Sequence, residues 1–186
     1  MIPKHTFLPF LHLPAKRPLR AVFASAVVLG TASFGSADVT LKGVVGPKTI
    51  DDNVVIAKNT SCVLNGTTIK GNVLVRAGAK LVALGARVDG NVQAEISAKA
   101  DLRQQTQVEG DVQGKGTRSI LVRGGSDVDG NVQLQEGSAP AGVNVLLVKN
   151  ANVGGDVQAE KSGGRIRVLG NRIDGNVQVV ENRRGP

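Results

Sequence analysis

One short step recurs through the chain: an apolar residue, a variable position, glycine, Asn or Asp, then valine. It stands at Ile69–Val73, Val88–Val92, Val108–Val112, Val128–Val132, Val153–Val157 and Ile173–Val177. Its glycines (Gly71, Gly90, Gly110, Gly130, Gly155, Gly175) are 19, 20, 20, 25 and 20 residues apart. A degenerate copy, Ile50–Val54, lies 19 residues upstream with Asp52 in glycine's place. A fixed period of this length belongs to repeat architectures, in which each unit buries its apolar face against the next.

Local chemistry selects among them. Each unit is dense in Val, Ile, Gly and Asn and alternates apolar with polar, as in Ile69-x-x-x-Val73-x-Val75. That is the period of a strand, not of a helix. Paired helices would need long runs that glycines at this density break, and the leucine-rich pattern is absent. Aligning the units on the glycine lines up four apolar columns, one of them the valine of the step itself. The first holds Cys62, Leu81, Ala100, Ile120, Val145 and Ile166, and the second Leu64, Ala83, Leu102, Val122, Leu147 and Val168. After the glycine come Val73, Val92, Val112, Val132, Val157 and Val177, then Val75, Ala94, Gly114, Leu134, Ala159 and Val179.

The expected fold is therefore all-β: a single-domain parallel β-helix (β-solenoid) of about seven ~20-residue coils, each with three short strands, over residues 38–180. Parallel strands ~4.8 Å apart would stack it into a rod on the order of 30 Å long. One turn would carry Gly66, Gly85, Gly124-Gly125 or Gly170, and another the Gly-Asn/Asp step, both read as positive-φ corners. The 25-residue interval around Gly137-Ser-Ala-Pro-Ala-Gly142 reads as one surface loop between coils.

Over roughly residues 48–180 this valine–glycine–Asp/Asn–valine unit resembles that of bactofilins, bacterial polymer-forming cytoskeletal proteins with a β-helical core. The resemblance implies a β-helix whose coils assemble into polymers. Two features depart from the family. Bactofilins are typically cytoplasmic, whereas this chain carries a leader, and their polymer contacts often include aromatics.

Residues 1–37 read as a signal peptide, which places the protein outside the cytoplasm, secreted or periplasmic. Lys4, Lys16, Arg17 and Arg20 precede an apolar stretch from Ala21 to Phe34 that ends at Gly35-Ser36-Ala37, small residues suited to cleavage. The stretch is too short to span a bilayer, so no stable membrane span is expected once it is removed. All four Phe, both His and the only Met lie in this leader, and the chain has no Trp or Tyr. The remainder therefore lacks the imidazole of His-based catalysis and the aromatic platforms on which bases or sugars stack. Of 23 Lys and Arg, four are in the leader, leaving 19 against 15 Asp and Glu, a net +4. In sequence these bases alternate with acids, so no one-sided basic stripe is expected and no nucleic-acid partner.

Three outward columns are candidates for chemistry. Asp89, Glu109, Asp129 and Asp174 precede the glycine, with Lys70 and Gly154 in the other copies. Stacked carboxylates could bridge a hard cation such as Ca²⁺. The preferred reading is turn chemistry with no metal, because Asp-Gly and Gly-Asn are good turn formers. Asn72, Asn91, Asp111, Asn131, Asp156 and Asn176 follow the glycine as structural repeat residues. Gln93, Gln113, Gln133, Gln158 and Gln178 form a third column, suited to an amide ladder or an interaction face. Cys62 stands in an apolar column and reads as a buried small hydrophobe. No catalytic residue and no cofactor is expected.

The expected function is an exported, non-enzymatic structural or self-associating element of the surface or envelope. Its partners would be itself, end to end, or an envelope polysaccharide. A polysaccharide or cell-wall binding module is the alternative, and a polysaccharide-cleaving β-helix enzyme the third. Residues 181–186, Glu181-Asn-Arg-Arg-Gly-Pro186, form a charged tail with no apolar residue to cover the last coil.

Overall fold

The structure, a computed structural model, describes residues 38–182. The expected signal peptide and residues 183–186 of the charged tail lie outside the described residues. Within them the chain forms 22 strands and no helix. A representative coil runs through Val92–Ala94, Lys99–Arg103 and Gln107–Val108, and each strand pairs in parallel with its equivalents one repeat away. Three sheets result, of eight, seven and seven strands. Sheet 1 begins at Val39–Leu41 and ends at Val177–Val180, sheet 2 runs from Gly43–Val45 to Arg165–Leu169, and sheet 3 from Thr49–Ile50 to Arg172–Ile173. This is a β-solenoid of about seven coils.

The sequence columns become ladders. Val73, Val92, Val112, Val132 and Val157 stack in register and are fully buried. Ile69, Val88, Val108, Val128 and Val153 line the third wall. Size is compensated across the narrow interior. A Cβ on Gly114 would meet Thr117 and Ile120, 2.5 and 2.8 Å away, so the gap in one ladder is filled from the next wall. Cys62 is buried between Gly43 and Leu81, and burial raises its thiol pKa, as a space-filling role requires.

One coil departs from the aligned columns. The loop after Gly137 enters the Asn144–Lys149 strand through an irregularity between Asn144 and Leu146. Leu146 and Val148, not Val145 and Leu147, therefore pair with Ile120 and Val122. Val145 is still fully buried, while Leu147 turns to the outer face. An extra residue in one strand reverses the side of everything after it, which counting from a distant glycine cannot detect.

The corners also differ from expectation. Between sheets 2 and 3 the glycines do adopt positive φ, at Gly66 (64°), Gly85 (55°), Gly124 (66°), Gly125 (76°) and Gly170 (63°), as do Gln104 (56°), Gln105 (61°) and Asn150 (50°). Between sheets 1 and 2 lies a second left-handed column, at Asn59 (58°), Gly78 (70°), Ser97 (60°) and Gly116 (65°), then Glu136, Lys161 and Glu181. Mixed residue types hid it from the sequence. The Gly-Asn/Asp corner between sheets 3 and 1 has no positive φ at any of its glycines. Glycine is required there for closeness instead. A Cβ on Gly90 would lie 2.7 Å from Asn72 Oδ1 and 2.8 Å from the Gly71 carbonyl oxygen of the coil before.

Candidate functional site

At that close corner the Asn/Asp column forms a hydrogen-bonded ladder along the rod. Asn53 Oδ1 accepts from the Asn72 backbone N–H at 2.8 Å, and Asn72 Oδ1 from Asn91 N–H at 2.9 Å. The pattern continues from Asn91 to Asp111, Asn131, Asp156 and Asn176 at 2.6–2.8 Å. Every Asp in it stands between two Asn, so no two carboxylates stack. The second oxygens of Asp111 and Asp156 accept from Gln113 and Gln158 at 3.0 and 3.1 Å. Gln113 in turn donates to Gln133 at 3.2 Å, and Gln133 to Gln158 at 3.4 Å. Gln93 and Gln178 share that register on the outer face of sheet 1. The amides of Gln113, Gln133 and Gln158 are thus joined to one another and to the Asp ladder.

The acidic column borders sheet 3, where cations of the same coil and of the neighbouring coil meet it. Lys70 pairs with Asp89 at 3.1 Å, and Arg87 pairs with Asp89 at 2.9 Å and also with Glu109. Lys70, with Arg87, lowers the Asp89 carboxyl pKa below its ordinary value. Arg172 pairs with Asp174 at 3.2 Å, and Asn152 donates to Asp127 at 2.6 Å. Glu109, Asp127 and Asp129 line a shallow cavity of about 210 Å³ with Arg87 and Gln107. Gly154 separates Asp129 from Asp174 in the stack. Among the described residues no group of three or more His, Cys, Asp or Glu is placed to hold a metal ion.

Sheet 2 carries the opposite charge, and here the sequence expectation is overturned. Its outward positions hold Lys80, Lys99, Arg103, Arg123, Lys149, Arg165 and Arg167 against a single carboxylate, Asp101. Bases and acids that alternate along the chain are sorted by the coil onto different walls. The basic stripe, read as absent, is present. Arg103, Arg123 and Lys149 occupy consecutive strands at equivalent positions, as do Lys80 and Lys99. Asp101 meets Arg123 through two contacts, at 2.8 and 3.0 Å, and Arg103 at 3.8 Å. Its hydrogen bond raises the Arg123 pKa.

No family model, curated protein or solved structure matches this chain. Its functional reading therefore rests on its own surfaces.

The two ends are the last such surfaces, and they are unlike. In the first coil Leu41, Val45 and Ile50 are 9, 9 and 7 % exposed. In the last coil Val177, Val179 and Val180 are 50, 51 and 48 % exposed, although the residues stacked beneath the first two, Val157 and Ala159, are buried. A further apolar residue, Ile96, projects at the corner between sheets 1 and 2 into a recess of about 550 Å³ that reaches Ser138 at the inserted loop. It lies outside every repeat column read from the sequence, so nothing in the pattern singled it out.

Proposed function

We propose that this protein is an exported, non-enzymatic β-solenoid that serves as a structural element of the cell surface or envelope and associates with itself through its C-terminal end. The observation that carries this reading is the last described coil: core-facing Val177 and Val179 half exposed, on a strand that is the edge of its sheet among the described residues. Such an edge is a template for another strand unless it is blocked. The bactofilin-like repeat unit supports assembly of this kind, with the polymer contacts here aliphatic in place of aromatic.

Sedimentation velocity of the full chain over a concentration series tests it. Dimers or larger species are expected to grow with concentration. Val179→Arg, which puts a charge on the open end at an already exposed position, is expected to return the protein to monomer without lowering its melting temperature. A sedimentation coefficient that stays monomeric throughout would overturn the reading.

A further inference from the structure

The outer wall of sheet 2 is built against its own charge. Like charges directly opposite on neighbouring strands destabilise a sheet, yet Lys80 sits beside Lys99, and Arg103, Arg123 and Lys149 follow one another on consecutive strands. Asp101 compensates Arg103 and Arg123. Lys80, Lys99, Lys149, Arg165 and Arg167 make no ion pair with any described residue. Sheet 3, by contrast, answers most of its acids with Lys70, Arg87, Arg172 and Asn152. Each of the five strands from Lys80–Leu84 to Arg165–Leu169 carries at least one outward cation, unpaired on all but Ser119–Arg123, and such a wall is the complement of a polyanion.

We propose that this face binds a linear carboxylated polysaccharide laid along the rod axis. Strand spacing sets the cations ~4.8 Å apart along the axis, a step comparable with one pyranose unit, so successive uronic carboxylates can meet successive coils. Exposed Ser61 continues the Lys80–Lys99 column toward the first coil, and exposed Asn65 stands beyond Leu84 in the Arg103 column, both able to hydrogen-bond sugar hydroxyls. Between the cations Val82 and Leu147 are only 6 and 9 % exposed, and the exposed apolar residues of this wall, Val44 and Leu169, stand on its first and last strands, so the cationic middle offers a lipid surface little to insert. Single-stranded nucleic acid would need aromatic stacking platforms, and residues 38–182 contain no aromatic. This wall lies along the side of the rod, away from Val177 and Val179, so its test is independent of self-association.

Isothermal titration of the full chain with polygalacturonate, at low and high salt, reads it directly. Binding that weakens steeply with salt is expected, with none to uncharged dextran of similar length. The double variant Lys99→Glu/Lys149→Glu is expected to lose about tenfold in affinity or more. The control Lys48→Glu/Lys115→Glu, with the same change in net charge off the face, is expected to stay within about twofold. Circular dichroism melting of both variants separates lost binding from lost fold. If a sheet 2 variant fails to fold, the neutral pair Lys99→Gln/Lys149→Gln takes its place, with a smaller loss expected. No binding by the parent at low salt, or equal losses from both sets of substitutions, would overturn the proposal. So would tighter binding to phosphatidylglycerol vesicles or to a single-stranded oligonucleotide than to polygalacturonate.

Discussion

Two glycine columns that look alike in sequence do different work. Between sheets 2 and 3, Gly124 is needed for its backbone angle: φ is 66°, and the nearest atom to an added Cβ is 3.4 Å away. Between sheets 3 and 1, Gly90 has an ordinary angle but no room, because the coil beneath presses the Asn72 amide and the Gly71 carbonyl against it. The first column is a conformational requirement that another residue can meet at a cost, as Gln104 and Asn150 do. The second is a steric one, set by the stacking distance of the rod. A single solenoid can thus use the same residue once as a hinge angle and once as a missing side chain.

The contrast can be tested by substitution. Gly90→Ala is expected to give the largest effect, a loss of roughly 3 kcal/mol, because the atoms it meets are backbone and a ladder amide that are fixed by the next coil. A shift of the urea midpoint with unchanged slope would measure it. Asn72→Ala leaves the Asn91 N–H without its 2.9 Å acceptor and should cost about 2 kcal/mol. Gly124→Ala pays the left-handed penalty but gains from a less flexible unfolded chain, so its net cost should be about 1 kcal/mol. Gln133→Ala, on the outer amide ladder, should cost well below ~1 kcal/mol. If Gly124→Ala proved as damaging as Gly90→Ala, closeness and angle would not be separate requirements, and the distinction between the corners would fail.

The ends repeat the lesson at a larger scale. Val157 and Val177 are the same residue in the same column, one fully buried and the other half exposed, because only one has a coil stacked above it. The sequence pattern is blind to this, since it describes a unit and not its place in the row.

Periodicity by itself determined the coil. Seven copies of one unit, alternating with a strand's period, left no other way to bury Val73, Val92, Val112, Val132 and Val157, and the Gln and Asn ladders follow from the same register. The exposure of Cys62 to chemistry was excluded on the same ground, since its column is otherwise aliphatic. Three features were decided only by the tertiary structure. The strand shift at Asn144–Lys149 depends on how the inserted loop rejoins the sheet, and a one-residue slip leaves no mark in composition. The left-handed column at Ser97, Glu136 and Lys161 is imposed by neighbouring coils on residues with no preference for it. The charge sorting is the most consequential. Lys99 and Asp89 are close in sequence, yet they stand on different walls because two corners and the Val92–Ala94 strand of sheet 1 lie between them. Which cations gather on one face depends on where a chain of ~20-residue turns folds back on itself, and no count along the sequence contains that.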